Sequence, residues 1–230
     1  LKLAQISNRS LIGLFTVMSG AFRITDPCYD MHTWCAGTLG PVRNGGWKAQ
    51  VGYHMDLDDM RWTDQYISKL EEEMKGLDKQ SGAYWICEDD LKRLKQRKAE
   101  YTGRVAYIHV FHESVSPRDM TAELDSTWVK AGIHVGVDSG QAGFFDFAQY
   151  EKTYRDKKTQ EAFYDGICNL TLGKDQFGVN EFGAVSSSGY GDGGYEIHFR
   201  SGEDGKVEEA VIIFIEEYEE EGEGEEVNEE

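Results

Sequence analysis

Cysteine is scarce in this chain and badly spaced for holding a metal. Cys28, Cys35, Cys87 and Cys168 form no C-x-x-C pair. Zinc-finger spacing is therefore excluded, and the density is too low for a disulfide-stapled scaffold. Reduced thiols and a cytoplasmic setting are expected. Long apolar runs are missing as well. Leu11–Met18 is far too short to span a bilayer and has no cleavage region of the signal-peptide kind, so no membrane association is expected. Cationic side chains are outnumbered, 24 Lys and Arg against 42 Asp and Glu, for a net charge of −18. Without a surplus to neutralise phosphates, direct binding to DNA or RNA is not expected.

What remains is a globular composition, 40% hydrophobic and 12% aromatic, over a length that suits one domain with a full core. The acidity is concentrated at the end. Glu216 to Glu230 holds ten glutamates and no Lys or Arg, which predicts a solvated, mobile tail over 216–230 that repels itself. Such a tail serves solubility, docks on a basic partner, or mimics nucleic acid.

Residues 1–215 read as a single α+β domain, mainly antiparallel sheet in a meander or sandwich-like arrangement. Strands are predicted over Leu11–Met18, Ala21–Thr25, Trp47–His54, Arg104–Phe111 and Ala131–Ser139. A final meander is expected from Phe182–Ser187, Tyr195–Arg200 and Val207–Glu216. Between Asp56 and Gly103 the pattern turns helical, with Tyr66, Leu70 and Met74 at helical spacing and Glu88, Asp89 and Asp90 placed in the first turn of a second helix. This is a helical insertion of about 56–103. Gln160–Leu170 reads as a short helix with Phe163, Ile167 and Leu170 on one stripe.

Several motifs invite chemistry. "SSSGYGDGGYEIHF" (Ser186–Phe199) contains G-x-G-x-x-G at Gly189, Gly191 and Gly194. A dinucleotide site needs a helix after the glycines, but Tyr195–Arg200 alternates like a strand, so a hairpin loop is expected instead. His109 and His112 form H-x-x-H, yet residues three apart on a strand face opposite sides. Cys28 is either a nucleophile or a buried thiol, and no motif pairs it with His32. Ser139 stands outside the G-x-S-x-G elbow. No stretch fits the EF-hand loop.

Three loops share carboxylates, hydroxyls, glycines and aromatics. They hold Asp26 and Tyr29; Asp138, Ser139, Gln141 and Asp146; and Ser188, Tyr190, Asp192 and Tyr195. Glycines let the backbone approach a ligand, and carboxylates suit a cation or a hydroxyl-rich molecule. The same loops also read as conformationally demanding turns. His134, Gly136 and Asp138 share one strand face, and Glu196, His198 and Arg200 share another; if these meet, they form a polar surface beside the loops.

"FRITDPCYDMHTWCAG" (Phe22–Gly37), "VDSGQAGFFD" (Val137–Asp146) and "SSSGYGDGGYEI" (Ser186–Ile197) resemble the signature segments of an uncharacterised bacterial and phage family catalogued only as a domain of unknown function. The resemblance runs from about Ala21 to Glu216 and skips the helical segment. It implies a microbial or phage origin and a single intracellular domain, and it brings no reaction with it.

The expectation is a non-enzymatic binding protein of bacterial or phage origin. Its three loops would take a small polar ligand or a cation, or its acidic surface would inhibit a basic protein partner in an immunity or anti-defence role. One alternative is a hydrolase using Asp26, Asp138 and Asp192, assisted by His134 or His198. The other is a structural or assembly protein of a phage particle. The identity of any cofactor and the oligomeric state are not legible in the sequence.

Overall fold

The structure, a computed structural model, describes residues 6–7, 12–116, 120 and 124–216. Its strands build two antiparallel sheets. The larger places β1 (Ile6–Ser7), β5 (Gly45–His54), β6 (Arg104–His112), β12 (Val207–Ile213), β11 (Gly193–Ser201) and β7 (Val129–Val137) side by side, with β2 (Ile12–Val17) also paired to β5. The smaller is ordered β4 (Gly37–Leu39), β3 (Phe22–Thr25), β8 (Gln141–Asp146), β10 (Gly183–Ser187), β9 (Phe177–Asn180). The sheets pack face to face, and aromatic rings bridge them. Trp47 on β5 meets Phe22 on β3 edge-on at 4.8 Å, and Phe22 meets Phe144 on β8 at 5.5 Å. Edge-to-face geometry suits the ring quadrupoles, so this cluster adds to plain burial.

A third layer lies on the far face of the smaller sheet. Phe145 and Val185 point there, against α3 (Phe147–Thr153) and α4 (Lys157–Thr171). The predicted stripe of Phe163, Ile167 and Leu170 packs into this layer. Because β8 is covered on both sides, all its residues are buried. That explains one misreading. "QAGFFD" looks like a turn because a strand buried on both faces has no alternation to announce it.

The last strands are not one meander. Strand β10 pairs with β8 and β9 in the smaller sheet, while β11 and β12 pair with each other in the larger. The glycine loop after Ser187 is therefore a crossing between sheets rather than a hairpin. It turns on Gly189 (φ 63°) and Gly191 (φ 106°), a region that costs side-chain-bearing residues strain.

The helical insertion is a hairpin that projects from the sandwich. Asp56 caps α1 (Leu57–Lys75), accepting the Asp58 and Asp59 amides at 3.0 Å each, and Ser81 caps α2 (Gly82–Glu100) by accepting the Tyr84 amide at 3.2 Å. With Ser81 as the cap, Glu88, Asp89 and Asp90 fall beyond the first turn where they were expected. The two helices pack on each other, and the residues withdrawn from solvent include Met60, Thr63, Ile67, Leu70 and Met74 on α1 and Tyr84, Cys87, Leu91 and Leu94 on α2. These recur at intervals of three and four, the seam of a two-stranded coiled coil. Antiparallel ion pairs Lys95–Glu71 (2.6 Å) and Lys98–Asp64 flank it. Of the two helices' residues only Leu70 is fully buried. Tyr66 falls outside the seam and stacks on Trp62 instead.

The acidic stretch after Glu216 lies outside the described residues. Among the described residues no helix is long and apolar enough to cross a membrane.

Candidate functional site

Asp26 follows β3 and is wholly buried. Its carboxylate accepts the amides of Cys28 (2.8 Å), Asp138 (2.9 Å) and Ser139 (2.7 Å), and the Ser139 hydroxyl (2.6 Å). A carboxylate with four donors is satisfied without a cation. It clasps the first loop to the second. The third loop joins through the Ser188 amide, which donates to Gly140 O at 3.0 Å. The roots of all three loops therefore meet, as one reading of the sequence requires.

The side chains at this junction mostly serve it. Ser139 Oγ also accepts from Gln141 Nε2 (3.2 Å), and Gln141 Oε1 accepts from Thr171 (2.6 Å). Ser188 Oγ donates to Gly191 O (2.8 Å), and the Tyr195 hydroxyl reaches Ser188 O and Gly191 O. Tyr29 gives its carbonyl to the Tyr150 hydroxyl at 2.7 Å. Its own phenol, partly withdrawn from solvent and hydrogen-bonded with Asp138 and Cys35, has its pKa pushed up from the ordinary value. Burial, reinforced by Asp26, pushes the Cys28 thiol up to about 12, so it stays protonated at neutral pH and is a poor nucleophile. It borders a cavity of about 250 Å³ with Tyr164 and Lys157.

Asp146 belongs elsewhere. It accepts the amides of Met18 (2.7 Å), Ser19 (2.8 Å) and Gln149 (3.0 Å), tying the end of β2 to the start of α3. Asp138 and Asp192 are exposed one step beyond the Val137–Gly193 pair, at the same end of the β7–β11 ladder. The two faces carrying His134 and Glu196 do meet, directly across that ladder. Among the described residues, no group of three or more His, Cys, Asp or Glu is placed to hold a metal ion. His109 and His112 separate as the strand period requires. His112 bonds Ser114 and Asn44 O, while buried His109 lies against Gln50, Glu209 and Trp128.

Tyr190 leads away from the junction to the root of the helical arm. Its hydroxyl donates to Asp56 at 3.1 Å, and the Arg104 guanidinium lies 4.8 Å from its ring centroid. Here the structure opens a cavity of about 550 Å³ that no motif signalled. Arg93, Arg97, Arg104 and Lys174 line it, against two carboxylates, Asp59 and Glu100. The walls come from the last turns of α2 and from the segment after α4. The floor is Tyr101–Arg104, held by Gln176, whose side chain donates to Gly103 O at 2.8 Å. Gly103 is obligatory there, since its φ is 95° and a Cβ would fall 2.5 Å from His54 O. Gln176 itself sits at φ 49°, an uncommon conformation for a residue with a side chain. Arg104 pairs with Asp59, and Arg93 with Asp89 at 2.7 Å. Arg97 and Lys174 form no ion pair among the described residues. The one sequence signal was "LKRLKQRK" (Leu91–Lys98), five cations without an acid in an acidic chain.

Comparison of the chain with protein-family models, with curated proteins and with solved structures returns no match.

Proposed function

We propose that this is a non-enzymatic binding protein that takes a small anionic ligand in the cleft at the root of the helical arm. The observation that carries the reading is the gathering of Arg93, Arg97, Arg104 and Lys174 around a 550 Å³ cavity in a chain of net charge −18. That volume is in the range of small-molecule sites. An acidic surface elsewhere repels anions, so a local cationic concavity is where an anion gains most from Coulomb attraction. Planar guanidinium groups add bidentate hydrogen bonding to phosphate or carboxylate. The three-loop junction supports the site from behind: it fixes the turn from which Tyr190 reaches Asp56 and Arg104.

Calorimetric titration and thermal unfolding with pyrophosphate test this. A ligand held at 100 times its dissociation constant adds about 2.7 kcal/mol to folding stability. Binding should weaken as salt is raised and be lost in an Arg97→Gln, Lys174→Gln double variant that keeps the wild-type unfolding temperature without ligand. Absence of any saturable heat or shift with pyrophosphate would sink the cleft as an anion site.

A further inference from the structure

A second, smaller cavity of about 90 Å³ adjoins the cationic cleft, and it differs in chemistry. Asp59, Arg97 and Tyr101 border both. The smaller one is closed by Met60, Trp62 and Thr63 of α1. Trp62 and Tyr66, one helical turn apart, stack with ring centroids 5.3 Å apart and planes only 10° from parallel. Stacking covers one face of the indole, yet Trp62 remains 59% exposed. The seam does not use this ring pair, which presents a flat aromatic face to solvent beside the cationic cavity.

One further group at this border has an unused donor. The Tyr101 hydroxyl is buried and donates no hydrogen bond among the described residues. Buried donors without acceptors are rare enough to call for an acceptor from outside.

We propose that the ligand of this cleft is a nucleotide, specifically a nucleoside diphosphate, with its base against Trp62 and its phosphates among Arg97, Arg93 and Lys174. This rests on the cleft being an anion site. The argument is one of adjacency: a flat aromatic platform and a cationic cavity share Arg97, and a nucleotide is a flat π-system joined to an anion by a short sugar. Base stacking on an aromatic side chain is sequence-tolerant, so Trp62 alone does not select one base over another. A single-stranded nucleic acid would present the same groups. The free nucleotide is favoured because the chain carries 24 Lys and Arg against 42 Asp and Glu, which leaves no cationic surplus to neutralise a continuing backbone.

The test is a set of titrations on the full chain with ADP, GDP, pyrophosphate and a short single-stranded oligonucleotide. ADP and GDP should bind about tenfold or more tightly than pyrophosphate. Trp62→Leu should erase that gain and leave pyrophosphate affinity unchanged, whereas Trp85→Leu, exposed on the arm but outside both cavities, should change neither. Equal affinity for ADP and pyrophosphate, insensitive to Trp62→Leu, overturns the nucleotide assignment while the anion site stands. No binding of any of the three small ligands or the oligonucleotide overturns both. An oligonucleotide binding more tightly than ADP overturns the free nucleotide as the ligand.

Discussion

The sandwich and the arm are stabilised in opposite ways. In the sandwich, rings from facing sheets interlock, and buried carboxylates are matched donor by donor. In the arm, two helices share a single seam with one fully buried residue, Leu70, and ion pairs exposed to water. The sandwich resists change because each part has many neighbours. The arm is held by capping, a thin stripe and its root, and such elements occupy the low-stability end of a protein's local opening energies. The candidate ligand site lies where the two regimes join, with a rigid floor and a compliant wall.

That contrast can be broken or sharpened by mutation. The largest effect is expected in the inter-sheet aromatic cluster: Phe144→Ala should cost about 3–5 kcal/mol in chemical denaturation, because neither sheet can collapse into the cavity. Asp26→Ala should cost about 3 kcal/mol, since several buried donors lose their acceptor together. A mild loss of only a few tenths would mean the three-loop junction is held by something other than this carboxylate.

Acid should act on the sandwich through His109. The ring is fully buried, and its pKa is lowered, chiefly by burial, although Glu209 at 3.2 Å opposes the shift. A histidine depressed in the folded state takes its proton more readily when unfolded. Stability is therefore fully present above about pH 6.5, the ordinary value, and declines as pH falls below it. The slope for one such group is up to about 1.4 kcal/mol per pH unit. His198, also depressed mainly by burial, acts in the same direction. His109→Gln should flatten the decline measured between pH 6.5 and 5, and an unchanged slope would assign it elsewhere.

In the arm the effects should be smaller and local. Leu70→Ala should open the hairpin by about 2 kcal/mol, seen as faster amide exchange across α1 and α2 with unchanged exchange in β6 and β12. Lys95→Ala, which removes a solvent-exposed bridge to Glu71, should change stability by about 0.5 kcal/mol or less.

The α+β class and the larger strands were legible because half-buried strands alternate and seam positions repeat. Loss of those signals accounts for the errors. Strand β8 lost its alternation through burial on both faces. On β6 the strand period separated His109 from His112 without saying which of them faces inward; Trp128 from the segment before β7 packs against His109, and a buried network occupies that face. The site divides similarly. Loop composition grouped Asp26, Asp138, Ser139 and Ser188, and hydrogen bonds join their three loops at the root. Composition cannot count donors, however, and four donors turn a candidate ligand into a brace. Arg97, Arg104 and Lys174 come from three different segments, and only folding brings them to one cleft.

The arm leaves the sheet at His54 and returns at Arg104, and these two residues are direct partners in the β5–β6 ladder. Helical hairpins form from local contacts, which need little chain search. Once formed, this one presents the ends of β5 and β6 to each other, replacing a long closure with a short one. The arm is in this sense a jig for assembling the central strand pair. Slowing its formation, for instance by glycines in the 76–81 tip, should retard refolding in stopped-flow measurements far more than it speeds unfolding.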